Sequence, residues 1–106
     1  MSIPPAPDGG ARAWTFLTNH AFVLLCVAAE PNARMRDVAA RVGVTERAVQ
    51  RIVADLATAG ILAVKRVGRR NAYKVRDDPP LGHPVVAHRA VRHLLELGLG
   101  GRRQGR

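Results

Sequence analysis

The stretch "RVGVTERAVQRIV", residues 41–53, sets Arg47 and Arg51 four positions apart with Gln50 beside them. Residues at that spacing share one side of a helix, so in helical form they present two guanidinium forks and a carboxamide together. An arginine fork matches the paired acceptors on the major-groove edge of guanine, and a glutamine amide matches the donor and acceptor of adenine. The chemistry is recognition of base edges, with Thr45 as a further polar contact and Ala54 small enough to let the helix lie close. A second basic group follows in Lys65, Arg66, Arg69, Arg70 and Lys74, with Asn71 among them and only Glu46 and Asp55 opposing the whole set. Arg69 or Arg70 suits a narrow minor groove. Lys65, Arg66 and Lys74 suit phosphates, which position a protein without reading sequence.

To present that face, a helix must bury its other side. Thr45 as cap and Glu46 in the first turn predict a third helix over residues 45–59, stopped by Gly60, with Val49 and Ile52 turned inward. Before it, a second helix runs roughly from Arg36 to Val42, with Asp37 near its positive end. Val38 on that helix is a core position, and Ala39 must be small where the third helix crosses. Gly43 permits the positive φ that the intervening turn needs, and Val42 and Val44 flank it as core residues. The first helix begins after Thr18 and ends before Pro31, with Leu24, Leu25 and Ala28, and Ala21 one turn back, as its apolar face. Beyond Gly60 the pattern changes to alternation. "ILAVKRV" and "AYKV" around "GRRN" predict a β-hairpin over residues 61–76 with a basic tip. "DDPPLGHP" reads as an extended connector, and Pro84 as the first residue of a last helix over residues 84–97, with Gly98 as its stop. The fold class is mainly α with a small β-hairpin wing: a three-helix core, the hairpin and a C-terminal helix.

Composition narrows the function. A formal net charge of +9 on 106 residues suits a polyanionic partner, and the length suits one small domain. Residues 1–13 and 98–106 read as flexible arms, the latter basic, around a folded part at 14–97. Trp14, Phe16, Phe22 and Tyr73 belong in or near the core rather than on a base-stacking surface. The single cysteine, Cys26, excludes a disulfide framework and a cysteine-based zinc site within one chain, and its apolar neighbours suggest an inert thiol. His83, His88 and His93 would lie about 140° apart on one helix and could not converge on a metal, so neither metal nor cofactor is expected. "AFVLLCVAA" is too short to span a bilayer, and no charged leader precedes it. A cytoplasmic, nucleoid-associated protein is the expectation. Ser2 is the only serine, and Asp37, Glu46 and Asp55 form no paired-carboxylate site, which argues against an enzyme. On the last helix, Val86, Ala90, Leu94 and Leu97 make one apolar stripe, with Ala87, Val91 and Leu95 beside it. The combined width exceeds what a surface helix buries in its own domain and points to a two-fold homodimer packed through these helices.

Residues 17–75, and above all "GVTERAVQRIVADLATAGIL" followed by "RVGRRNAYKV", resemble the winged helix-turn-helix transcriptional regulators of the MarR and ArsR type, closest to small bacterial single-domain members. The resemblance implies sequence-specific binding of double-stranded DNA, usually by a homodimer, to regulate transcription. The helix over 45–59 would enter the major groove, the hairpin would lie on the backbone or minor groove, and a dimer would read an inverted repeat. The sequence departs from the metal-sensing members, which use cysteine pairs or clustered histidines and carboxylates. It leaves open a winged-helix module for RNA or the ribosome, or a protein adaptor on the same fold.

Overall fold

Side-chain caps and backbone turns set the limits of the helices. In the computed structural model, which describes residues 13–99, Thr18 Oγ1 accepts the Ala21 N–H at 3.2 Å and opens α1 (Asn19–Ala29). α2 (Met35–Val42) follows and ends at Gly43, whose φ is +89°. The Ala39 carbonyl accepts both the Gly43 N–H at 2.8 Å and the Val44 N–H at 3.0 Å, which closes the helix and reverses the chain. α3 (Glu46–Thr58) starts one residue later, capped by Thr45 Oγ1 on the Ala48 N–H at 3.0 Å. At its far end the Gly60 N–H donates to the Ala57 carbonyl and the Ile61 N–H to that of Leu56, each at 3.0 Å, as expected of a glycine-terminated helix.

The three helices enclose one core. Val23, Leu24 and Val27 of α1 meet Val38 and Ala39 of α2 and Val49, Ile52, Val53 and Leu56 of α3. The apolar face expected for α1 is therefore corrected. Leu24 is buried as expected, but Ala21, Leu25 and Ala28 are only half-buried, and Val23 and Val27 take their places. α1 packs against α2, α3, the hairpin and the last helix, so its residues are apolar nearly all round and periodicity alone does not select the deepest side.

β1 (Leu62–Val67) and β2 (Arg70–Val75) pair antiparallel in register, from Leu62 opposite Val75 to Val67 opposite Arg70. That register leaves a two-residue turn, Gly68–Arg69, rather than the four-residue tip read from "GRRN". Arg70 and Asn71 belong to β2. Gly68 has positive φ and Arg69 does not, the pattern of a turn with glycine in its first central position. One bond ties the hairpin to the rest, from the Tyr73 N–H to the Pro31 carbonyl at 2.9 Å, and another, from the Arg76 N–H to the Ile61 carbonyl at 2.7 Å, extends the β1–β2 pairing by one step.

The last helix differs most from expectation. Instead of one helix over 84–97, the chain makes a single 3₁₀ turn at Pro84–Val86, breaks, and then forms α4 (Val91–Leu99). The connector causes the break. Pro80 bridges to Ala90, and the carbonyls of Pro79 and Asp77 accept the N–H groups of Val91 and Arg92 at 2.8 Å each. These amides would otherwise need a preceding helical turn. Gly98, expected to stop the helix, lies within it, where its Cα approaches the side chain of Leu25. His83 and His88 therefore precede α4, and only His93 is part of it. His83 Nδ1 accepts the Val85 N–H at 3.1 Å, and His93 Nδ1 the Ala90 N–H at 3.0 Å.

Two aromatic placements are also corrected. Trp14 and Phe16 are 56% and 82% exposed and stack edge to face on each other, outside the core, whereas Tyr73 is buried. Residues 1–12 and 100–106, most of the two arms inferred from sequence, lie outside the described residues. No helix among the described residues is long and apolar enough to cross a membrane.

Gly43 tests the turn directly. A Cβ there would meet no atom within 4 Å, so only the left-handed backbone resists substitution. Gly43→Ala should lower stability by about 1–2 kcal/mol, read as a lower urea midpoint with an unchanged slope.

Candidate nucleic-acid interface

Burial of Val49, Ile52, Val53 and Leu56 turns the opposite side of α3 to solvent. Thr45, Glu46, Arg47, Gln50, Arg51 and Ala54 are all exposed, and Thr45, Arg47, Gln50 and Arg51 border one shallow recess along the helix. Thr45 carries a restriction that the sequence reading did not include. Its oxygen already accepts the Ala48 N–H, so the hydroxyl is anchored to the helix start and has its proton left to donate.

Strand parity sorts the hairpin. Residues directly opposite each other in an antiparallel pair share a face, and alternate residues change face. Leu62 with Val75, Val64 with Tyr73, and Arg66 with Asn71 form one face. Leu62 and Tyr73 are buried, so this face turns toward the helices. Lys65 and Lys74 belong to the other face and are exposed. The two lysines therefore do not share a surface with α3.

Parity puts Arg66 on the near face and Arg70, opposite Val67, on the far face with the lysines, yet both border a cleft that the wing shares with α3. A cleft of about 230 Å³ is lined by Arg34 from the residue before α2, Gln50 from α3, and Arg66, Arg69, Arg70 and Asn71 from the hairpin. Gln50 borders both this cleft and the recess holding Arg47 and Arg51, so the two basic groups meet at one residue. Arg66 Nε donates to the Gly68 carbonyl at 3.2 Å, which holds its side chain along the turn. Asn71 Nδ2 donates to Tyr73 Oη at 3.4 Å.

The electrostatics are one-sided. No acidic residue lines the cleft. Among the described residues the ion pairs are Arg41–Glu30 at 3.4 Å and Arg76–Asp78 at 3.7 Å, and His20 Nε2 hydrogen-bonds with Asp55 Oδ2 at 2.8 Å. None uses Arg34, Arg47, Arg51, Arg66, Arg69 or Arg70. Asp55, one of the two acidic residues near the basic set, is held by His20 of α1. Glu46 is the acidic residue left on the exposed side of α3.

The sequence reading missed Arg34. Its signal was its position immediately before the second helix, whose start was put one residue too late, at Arg36 instead of Met35.

The expected interface on the last helix is revised. Ala90 and Val91 are buried in the chain's own domain, and Leu94 and Leu95 pack partly against its core. Val86 is half-buried in the 3₁₀ turn. Leu97 is 72% exposed.

The overall fold has a counterpart among known structures. The PcaV transcriptional regulator of Streptomyces coelicolor, solved with its natural ligand, matches with a TM-score of 0.52 at 24% sequence identity, over 80% of this chain and 62% of that one. The fold is a winged helix-turn-helix. α2 and α3 are its two motif helices and the β1–β2 hairpin is its wing. Also similar are the AntR antimony-specific transcriptional repressor, with TM-score 0.48, 29% identity and coverage of 77% and 62%, and the zinc-dependent MarR family regulator AdcR in its Zn(II)-bound state, with TM-score 0.47, 23% identity and coverage of 89% and 63%. The chain spans less than two thirds of the length of each. No family model matches the sequence, and no curated protein does.

Loss of the winged helix's α3 cap should be measurable without any ligand. Thr45→Ala should cost about 1 kcal/mol and lower the thermal midpoint, while Thr45→Ser, which keeps the oxygen, should stay close to the parent.

Proposed function

We propose that this protein is a sequence-specific double-stranded DNA-binding transcriptional regulator. α3 enters the major groove, where Arg47, Gln50 and Arg51 read base edges and the Thr45 hydroxyl donates to the backbone or a base. The wing lies along the backbone, with Arg69 at the turn directed to the adjacent minor groove. One observation carries this reading: Gln50 joins the exposed arginines of α3 to the arginine-lined cleft of the wing, with none of those arginines in an ion pair. The winged-helix likeness to a transcriptional regulator supports it. Lys65 and Lys74, on the far side of the wing, contribute long-range attraction more than close contact.

We further propose a homodimer reading an inverted repeat, so that two copies of α3 meet the same side of the duplex about one helical turn apart. The exposed part of α4 around Leu97, with the flanking sides of Leu94 and Leu95 and the nearby Val86, forms its contact. Ala90 and Val91 act behind that surface as support.

Selection of bound duplexes from a random pool tests the proposal, and enrichment of a motif with dyad symmetry is the expected result. On that site, Arg47→Ala or Arg51→Ala should cost about 1–3 kcal/mol, with much smaller losses on random DNA. Equal losses on both would remove base reading. Light scattering should give the mass of two chains, and Leu97→Asp should shift it toward one. A single-chain mass for the parent would remove the dimer.

A further inference from the structure

The cleft between α2, α3 and the wing brings together four guanidinium groups, from Arg34, Arg66, Arg69 and Arg70. Like charges gathered in one cleft repel, and no carboxylate lines it, while Glu30 and Asp37 border the adjoining recess that Arg34 and Arg70 also line. Such a cluster is stabilised by an anion that arrives from outside. Two features narrow the anion's identity. A volume of about 230 Å³ falls below the roughly 300–1,000 Å³ usual for organic ligands, and forked guanidinium donors match the oxygens of a phosphate.

Arg34 is the decisive residue. Its side chain makes no capping bond to α2, and it is exposed and free of ion pairs among the described residues. It immediately precedes α2, the helix that in this motif crosses the nucleic-acid backbone rather than entering a groove. Across the cleft from it stand the wing arginines, and Gln50 of α3 forms a further wall. An anion held here would contact all three elements at once.

We propose that Arg34, together with Arg66 and Arg70, seats one phosphodiester of the DNA backbone in this cleft, with Arg69 left at the turn for the minor groove, and so fixes the register of α3 and the wing on the duplex. The inference rests on the duplex-binding reading above and adds to it a positioning residue outside the recognition helix and the wing. Arg34 holds the backbone and reads no base.

Arg34→Ala should weaken binding about tenfold, by the same factor on the selected site and on random duplex. The log–log salt dependence should become shallower, by less than the roughly 0.9 of one fully neutralised phosphate, because the wing arginines remain on it. Arg34→Lys, which keeps the charge, should retain the slope. Thermal melts of both variants should match the parent, since the side chain supports no other group. A methylphosphonate scan locates the contact: one position should weaken the parent when neutralised and weaken Arg34→Ala distinctly less. Parental affinity and slope in Arg34→Ala would overturn the proposal, as would a loss confined to the selected site. In either case Arg47→Ala and Arg51→Ala still report independently on base reading. Failure of the parent protein to bind any duplex would instead overturn both readings together.

Discussion

The crossing of α2 over α3 is the constraint on which the rest depends. Ala39 is buried where the two helices approach, and its carbonyl accepts both amides of the turn that follows, from Gly43 and Val44. A larger residue at 39 would push the helices apart, and a residue unable to adopt positive φ at 43 would change the angle between them. That angle decides which residues of α3 meet the core. With Val49, Ile52, Val53 and Leu56 inside, Arg47, Gln50 and Arg51 have no choice but to face outward. The polar surface thus follows from close packing on its reverse side.

Charge placement completes what packing begins. The ion pairs between described residues are exposed ones, each worth at most about 1 kcal/mol, so their importance lies in location more than in stability. They tie Glu30 and Asp78 to partners outside the cleft, as the hydrogen bond with His20 does Asp55. A chain with net charge +9 therefore concentrates uncompensated arginine between α2, α3 and the wing, where the fold also provides concavity. Low-dielectric walls around such a recess focus its field outward.

The parts of this molecule written in local patterns were readable in advance. The caps Thr18 and Thr45, the glycines at 43 and 60, and the inward Val49 and Ile52 all act within a few residues, and each lies where the pattern indicated. Features set by distant backbone partners were not readable. Nothing near Val91 signals that the carbonyls of Asp77 and Pro79 will take the first amides of α4 and divide the expected helix. The hairpin's existence was clear from alternation, but its turn was not, because Arg70 and Asn71 are as polar as turn residues and only the register assigns them to β2. That register also shapes the site, since it separates Lys65 and Lys74 from Arg66. Trp14 and Phe16 were assigned to the core because large aromatics usually are, yet they pack on each other outside it.

The bond from the Tyr73 N–H to the Pro31 carbonyl has a mechanical meaning. Proline has no amide hydrogen to return, so among the described residues this single rung is all that joins the hairpin's backbone to the loop before α2, and no further ladder can grow from it there. The two strands beyond it form a lever. From Tyr73 to the turn at Gly68 its arm is about 16 Å at the usual rise per residue, so a pivot of roughly 10° carries the tip about 3 Å. Motion about that rung would therefore move the turn far more than the buried base of the ribbon at Leu62 and Tyr73.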